Sequence, residues 1–134
     1  MAIEVEITSP EKRLLARSAD MVVMPGSEGD IAAMPGHAPM ILLLRGGVVT
    51  LYEGDRAGDQ FFVAGGFAEI TPERCTILAD EATPLADLSR ARAEERLRDA
   101  EQAYDNADKT DITTLDPYLD RLQSARAELE SAQG

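Results

Sequence analysis

The hydrophobic period of this chain changes once, near Thr83-Pro84, and that change dictates a protein with two unlike halves. Before it, apolar residues alternate. Ile3, Val5 and Ile7 face one way and Glu4 and Glu6 the other, the period-2 signature of a strand buried on one side. Short apolar runs follow at 21–24, 41–44, 48–52, 60–64, 67–71 and 75–78. Pro25-Gly26, Arg45-Gly46-Gly47, residues 53–59, Gly65-Gly66 and Pro72-Glu73-Arg74 separate them. These are turn residues, because glycine admits positive φ and proline fixes its own. No separator is long enough for a crossover helix, so residues 1–82 are expected to form an antiparallel β sandwich or flattened barrel.

Beyond the switch, Thr83 and Pro84 suit an N-cap and first helical position. Leu85, Leu88, Ala93, Leu97, Ala100, Tyr104 and Ala107 then recur at spacings of mostly three and four, one apolar stripe. Asp108 to Asp111 interrupts it, and Asp116-Pro117 restarts a helix whose face is Tyr118, Leu119, Leu122, Ala125, Leu129 and Ala132. Two amphipathic helices on a short link predict an antiparallel α-helical hairpin over residues 83–134. Its large apolar side chains are few, so the hairpin has to lean on the sandwich or on a partner. Glu94–Arg98 and Glu95–Arg98 have the spacing of ion pairs on a solvated helix face.

Charge narrows the function. The formal net charge is −12, and it is spread evenly: residues 1–80 hold 12 acidic and 6 basic side chains, residues 81–134 hold 13 and 7. A surface of this sign repels nucleic acid and anionic lipid. The single cysteine, Cys75, precludes an internal disulfide, and its apolar neighbours predict a buried thiol. The N-terminus carries acids where a signal peptide needs bases, and no apolar run approaches a membrane span, so a soluble, cytosol-facing protein is expected.

No constellation calls for catalysis. The glycine-bearing stretch from Pro25 to Ile31 lacks a lysine and holds Glu28 and Asp30, which repel phosphate. His37 is the only histidine, too few for a His-rich metal site, and no nucleophile elbow surrounds Ser27 or Ser89. The prolines at 25, 35 and 39 instead point to a rigid, shaped loop built for contact.

Val23-Met24-Pro25-Gly26-Ser27-Glu28-Gly29-Asp30, Pro35-Gly36-His37-Ala38-Pro39, Gly65-Gly66-Phe67-Ala68-Glu69-Ile70 and Thr76-Ile77-Leu78-Ala79-Asp80, in this order, closely resemble the epsilon subunit of bacterial F-type ATP synthases. The resemblance runs from Val5 to about Arg92 in motifs and to the C-terminus in architecture. It implies a β sandwich followed by a two-helix hairpin, in a non-catalytic central-stalk subunit that needs no cofactor. Such a subunit links the gamma subunit to the c-subunit ring, peripheral on the cytoplasmic face of the bacterial inner membrane. By the same resemblance Glu28, Gly29 and Asp30 meet the c ring, and His37, Pro39, Met40, Ile41, Leu42 and Leu43 face gamma.

Two further implications concern the hairpin. Some members bind ATP through an element that Asp87, Arg90 and Ala91 match, with Ala86 in place of a bulky aliphatic residue; an ATP-sensing module is therefore the alternative function. Others inhibit ATP hydrolysis when a basic second helix reaches the catalytic alpha and beta subunits. Here that helix offers only Arg121 and Arg126 against Asp120, Glu128 and Glu130, so a weak inhibitor or none is expected.

Overall fold

The alternating half folds as a β sandwich and the helical half as a hairpin laid on its flank. A computed structural model describes residues 2–132; Met1 and residues 133–134, the outer ends of the two halves, lie outside the described residues. The strands are β1 (Ile3–Thr8), β2 (Arg13–Ala19), β3 (Met21–Gly26), β4 (Gly29–Ala33), β5 (Met40–Glu53), β6 (Arg56–Ile70), β7 (Arg74–Ala79) and β8 (Ala82–Pro84). Their order is β2-β1-β7-β6-β5-β3-β4, with β8 beside β6. Pairing is antiparallel except between β1 and β7, which run parallel. That parallel pair needs no crossover helix, because the strands β2 to β6 lie between its two members in sequence.

Two glycine pairs expected to be turns are bends inside long strands. β5 continues through Arg45-Gly46-Gly47 and β6 through Gly65-Gly66, with Gly46 opposite Ala64 and Leu44 opposite Gly66. The bends let both strands run through the two layers. Gly66 has φ 120° and its missing Cβ faces the Leu78 carbonyl, so no side chain fits there. The stretches 13–19 and 29–33, not anticipated as strands, form β2 and β4 at the two ends of the sheet order. The core between the layers holds Ile3, Val5, Ile7, Val22, Met24, Val49, Leu51, Val63, Ile70 and Ile77.

The helices begin later and earlier than their proline signals suggest. Thr83-Pro84 belongs to β8, so a boundary at 82/83 divides a strand; a single 3-10 turn at Leu85–Asp87 follows. α1 (Arg90–Asn106) starts instead at Ser89, whose hydroxyl accepts the Arg92 N–H at 3.3 Å. α2 (Ile112–Ser131) starts at Asp111, whose carboxylate accepts the Thr113 N–H at 3.0 Å, and carries Pro117 inside. An acidic cap with a free backbone ahead of it wins over Asp116, and Pro117 sits early enough that the carbonyl it orphans, on exposed Thr113, stays in water.

This start also fixes the buried face. Leu115, Leu122, Ala125 and Glu128 point inward, whereas Tyr118 and Leu119, placed on that face by periodicity, are exposed. Ala100, Leu122 and Ala125 with Leu97 and Tyr104 form the interhelical seam. On α1, Glu94 pairs with Arg90 one turn before it, at 3.0 Å, rather than with Arg98 one turn after. As the thin seam requires, the hairpin leans on the sandwich, with α2 packed against β5 and β6.

Candidate docking face and hairpin junction

Register builds an apolar surface from residues far apart in sequence. On β5, Leu42 and Leu44 turn inward, which forces Ile41 and Leu43 outward. Leu43 is paired with Phe67 on β6, and Phe67 with Leu78 on β7. The four are 70%, 67%, 43% and 42% exposed for Ile41, Leu43, Phe67 and Leu78 respectively. Directly opposed side chains in an antiparallel ladder sit about 4.5–5.5 Å apart at Cβ. Leu43, Phe67 and Leu78 therefore form one continuous row, and Ile41 stands beside it, two residues along β5. A contiguous patch of large apolar side chains in water is informative where a lone exposed leucine is not. Met34 and Met40 are also exposed, but Met40 alternates with Ile41 and so belongs to the other face of β5.

The acidic turn lies against the same strand. Ser27-Glu28 is the tip of the β3–β4 hairpin, closed by Gly26 opposite Gly29, and Gly29 has φ 133°. The Ser27 N–H donates to the Leu43 carbonyl at 2.9 Å, hooking the tip onto β5. Glu28, Gly29 and Asp30 thereby share a shallow cleft of about 260 Å³ with Met40, Leu42 and Leu43. His37 and Pro39 are elsewhere, in the 34–39 loop. There the Gly36 N–H donates to the Pro72 carbonyl at 2.8 Å, and His37 Nδ1 donates to the Ala38 carbonyl at 2.7 Å. The loop is thus tied to the β6–β7 turn, and the imidazole stiffens it.

Asp87, Arg90 and Ala91 are exposed at the junction of sandwich and hairpin. The Arg90 guanidinium is engaged by Glu94, Nε to Oε1 3.0 Å. Arg121 lines a separate cleft of about 510 Å³ between sandwich and hairpin, with Asp80, Glu81, Arg96, Asp120 and Glu128. Arg126 lines another, under α2, and Arg90 lines neither. Arg90, Arg121 and Arg126 therefore do not share one cleft.

Three junction features were not anticipated from sequence. Gln123 clamps the bend in β5: its amide Nε2 donates to the Gly46 carbonyl at 2.7 Å, and its Oε1 accepts the Gly46 N–H at 2.9 Å. Beside it the Ser124 hydroxyl donates to the Ala64 carbonyl at 3.2 Å. Arg96 on α1 bridges Glu81, in the β7–β8 turn, and Glu128 on α2. The two carboxylates, with burial opposing them, hold the Arg96 guanidinium above its ordinary pKa. Cys75, as expected, is fully buried, and burial pushes its thiol up to about 12.

The apolar outer row and the acidic turn hooked beside it have the make-up of a docking surface. Comparison with known proteins gives the family of the chain. Residues 2–85 match the family described as ATP synthase, Delta/Epsilon chain, beta-sandwich domain. The ATP synthase epsilon chain of Granulibacter bethesdensis is 59% identical over 128 residues, covering 96% of this chain and 95% of that one. That of Gluconacetobacter diazotrophicus is 58% identical over 134 residues, covering 100% and 95%. A solved mitochondrial ATP synthase assembly of Euglena gracilis (OSCP/F1/c-ring) contains a chain of the same fold, with TM-score 0.74 at 22% identity over 98% of this chain and 81% of that one. This chain belongs to the family of bacterial F-type ATP synthase epsilon subunits.

Proposed function

We propose that the chain is a non-catalytic rotor subunit that ties the gamma subunit to the c ring, so that ring rotation driven by protons reaches the catalytic head. The observation that carries this is the exposed row Leu43–Phe67–Leu78 with Ile41. These side chains are already partly covered by the sandwich, so burying what remains contributes roughly 1–2 kcal/mol each, enough together to anchor a partner helix or strand. Gamma takes this face. The c ring takes the Glu28-Gly29-Asp30 turn, where fixed carboxylates set register against basic groups.

Both surfaces share β5, so a torque received at the turn passes through one rigid strand to the apolar row. None of the described helices is long and apolar enough to cross a membrane. The hairpin stays folded on the sandwich and inhibits hydrolysis weakly or not at all. The ATP-sensing alternative at Asp87, Arg90 and Ala91 has the weaker support, because Arg90 is already paired; a clear calorimetric signal at millimolar ATP would revive it.

The direct test is gamma binding by the purified chain. Leu43→Asp with Phe67→Asp places two carboxylates in the row and is expected to weaken binding by at least about a hundredfold. Undiminished binding, with the sandwich still folded by circular dichroism, would move gamma to another face.

A further inference from the structure

The hairpin touches the sandwich in two chemically different ways. Gln123 and Ser124 of α2 make neutral hydrogen bonds to the bend at Gly46 and Ala64. The other contact is ionic. Glu128 sits on the inward face of α2, only 6% exposed, where the helical stripe otherwise carries leucine and alanine. A carboxylate in that place is costly unless paired, and its partner is Arg96 Nη1 at 3.2 Å. The same nitrogen reaches Glu81 of the sandwich. One guanidinium thus joins three elements that are otherwise held by different contacts: α1, α2 and the β7–β8 turn.

The surroundings make Arg96 decisive. The cleft holds Asp80, Glu81, Asp120 and Glu128 against Arg96 and Arg121. Without Arg96, four carboxylates would face one arginine, and the repulsion would push the hairpin from the sandwich. We propose that Arg96 is an electrostatic latch that keeps the hairpin docked, so that its release is governed by ionic strength and by competition for this guanidinium. The latch rests on the docked-hairpin reading above but on no partner, so failure of gamma binding and failure of the latch are separate results.

The Gly46 N–H is the reporter, because its acceptor is a hairpin side chain rather than a strand. In the full chain, amide exchange at Gly46 is followed by NMR, with β7 amides as the control for an intact sandwich. Arg96→Gln is expected to lower Gly46 protection about tenfold, a value discounted for the partial exposure of Arg96, while β7 is unchanged. Arg96→Lys should recover part of the loss, and adding Glu128→Gln to Arg96→Gln should recover more, because the unpaired buried charge is gone. Raising salt from about 0.02 M to about 0.5 M should lower protection in the wild type but not in Arg96→Gln. Gly46 protection within about twofold of wild type in Arg96→Gln, or an equal salt response in both proteins, would overturn the latch. Loss of β7 protection alongside Gly46 would also overturn it, because Arg96 would then hold the sandwich itself together.

Discussion

Gly46 is the position where the sandwich admits the hairpin, and Gly46→Ala tests how tightly. Its φ is outside the left-handed region, so alanine is allowed by the backbone; the obstacle is α2. An added Cβ would lie 2.5 Å from Ser124 Cα and 2.9 Å from Ser124 Cβ, whereas ordinary contact begins near 3.4 Å. The helix must retreat by about 1 Å, which takes the two Gly46–Gln123 bonds out of hydrogen-bond range and strains Ser124 to Ala64. Each bond contributes about 1 kcal/mol, so docking should weaken by about 2–3 kcal/mol, a factor of roughly 30 to 150. An undocked hairpin with so thin a seam frays, and its amides exchange. Hydrogen exchange by mass spectrometry should therefore show faster exchange across α2 with β1 and β7 unaltered. Unchanged α2 exchange would refute the reasoning, since the helix would then accommodate the methyl group without losing its hold.

Burial of Cys75 predicts both reactivity and a pH slope. The native thiol should be inert to thiol reagents at mildly alkaline pH and react only on unfolding. Its folded pKa, about 12, lies above the unfolded value near 9. The thiol's contribution to stability is thus intact below pH 9 and is lost as pH rises towards 12, by up to about 1.4 kcal/mol per unit. Urea titrations should show a steeper alkaline decline for the native chain than for Cys75→Ala; equal slopes would mean the thiol is not so buried. A chain stopped after Leu88 keeps β8 whole, whereas a stop at Ala82 would cut it. In the assembled synthase this shortened chain should leave ATP hydrolysis within about twofold, because α2 offers only Arg121 and Arg126 against Asp120, Glu128 and Glu130 and lacks the basic face of an inhibitory helix. A several-fold rise would make the hairpin an inhibitory arm.

The sequence made the division into sandwich and hairpin legible because hydrophobic period is a local property, readable at Ile3-Val5-Ile7 and at Leu97-Ala100-Tyr104 alike. It misled where one residue type serves two geometries. Gly46 and Gly65-Gly66 look like turn glycines, yet they bend strands whose pairing continues on both sides. Thr83-Pro84 has the chemistry of a helix start, but pairing with Phe61 and Phe62 on β6 claims it for the sheet. β2 was hidden because as an edge strand it buries only Ala19 fully, leaving no clean alternation. The docking face was half visible. Ile41 and Leu43 fall in an apolar run, but Phe67 and Leu78 join them only through register. A signal for them exists: each lies out of phase with the core residues Ala68, Ile70, Ile77 and Ala79 beside it. Arg96, Glu81 and Glu128 gave no such signal, since their meeting depends on how the hairpin settles.

Coupling in membranes carrying the assembled synthase tests the central claim most directly. ATP-driven proton pumping is compared with ATP hydrolysis for the native chain and for Leu43→Asp/Phe67→Asp. If the apolar row holds gamma, the double variant should retain hydrolysis while pumping per ATP falls severalfold or is lost, because the head turns without a firm link to the ring. Pumping in native proportion to hydrolysis would contradict the account and show that this face does not transmit the torque.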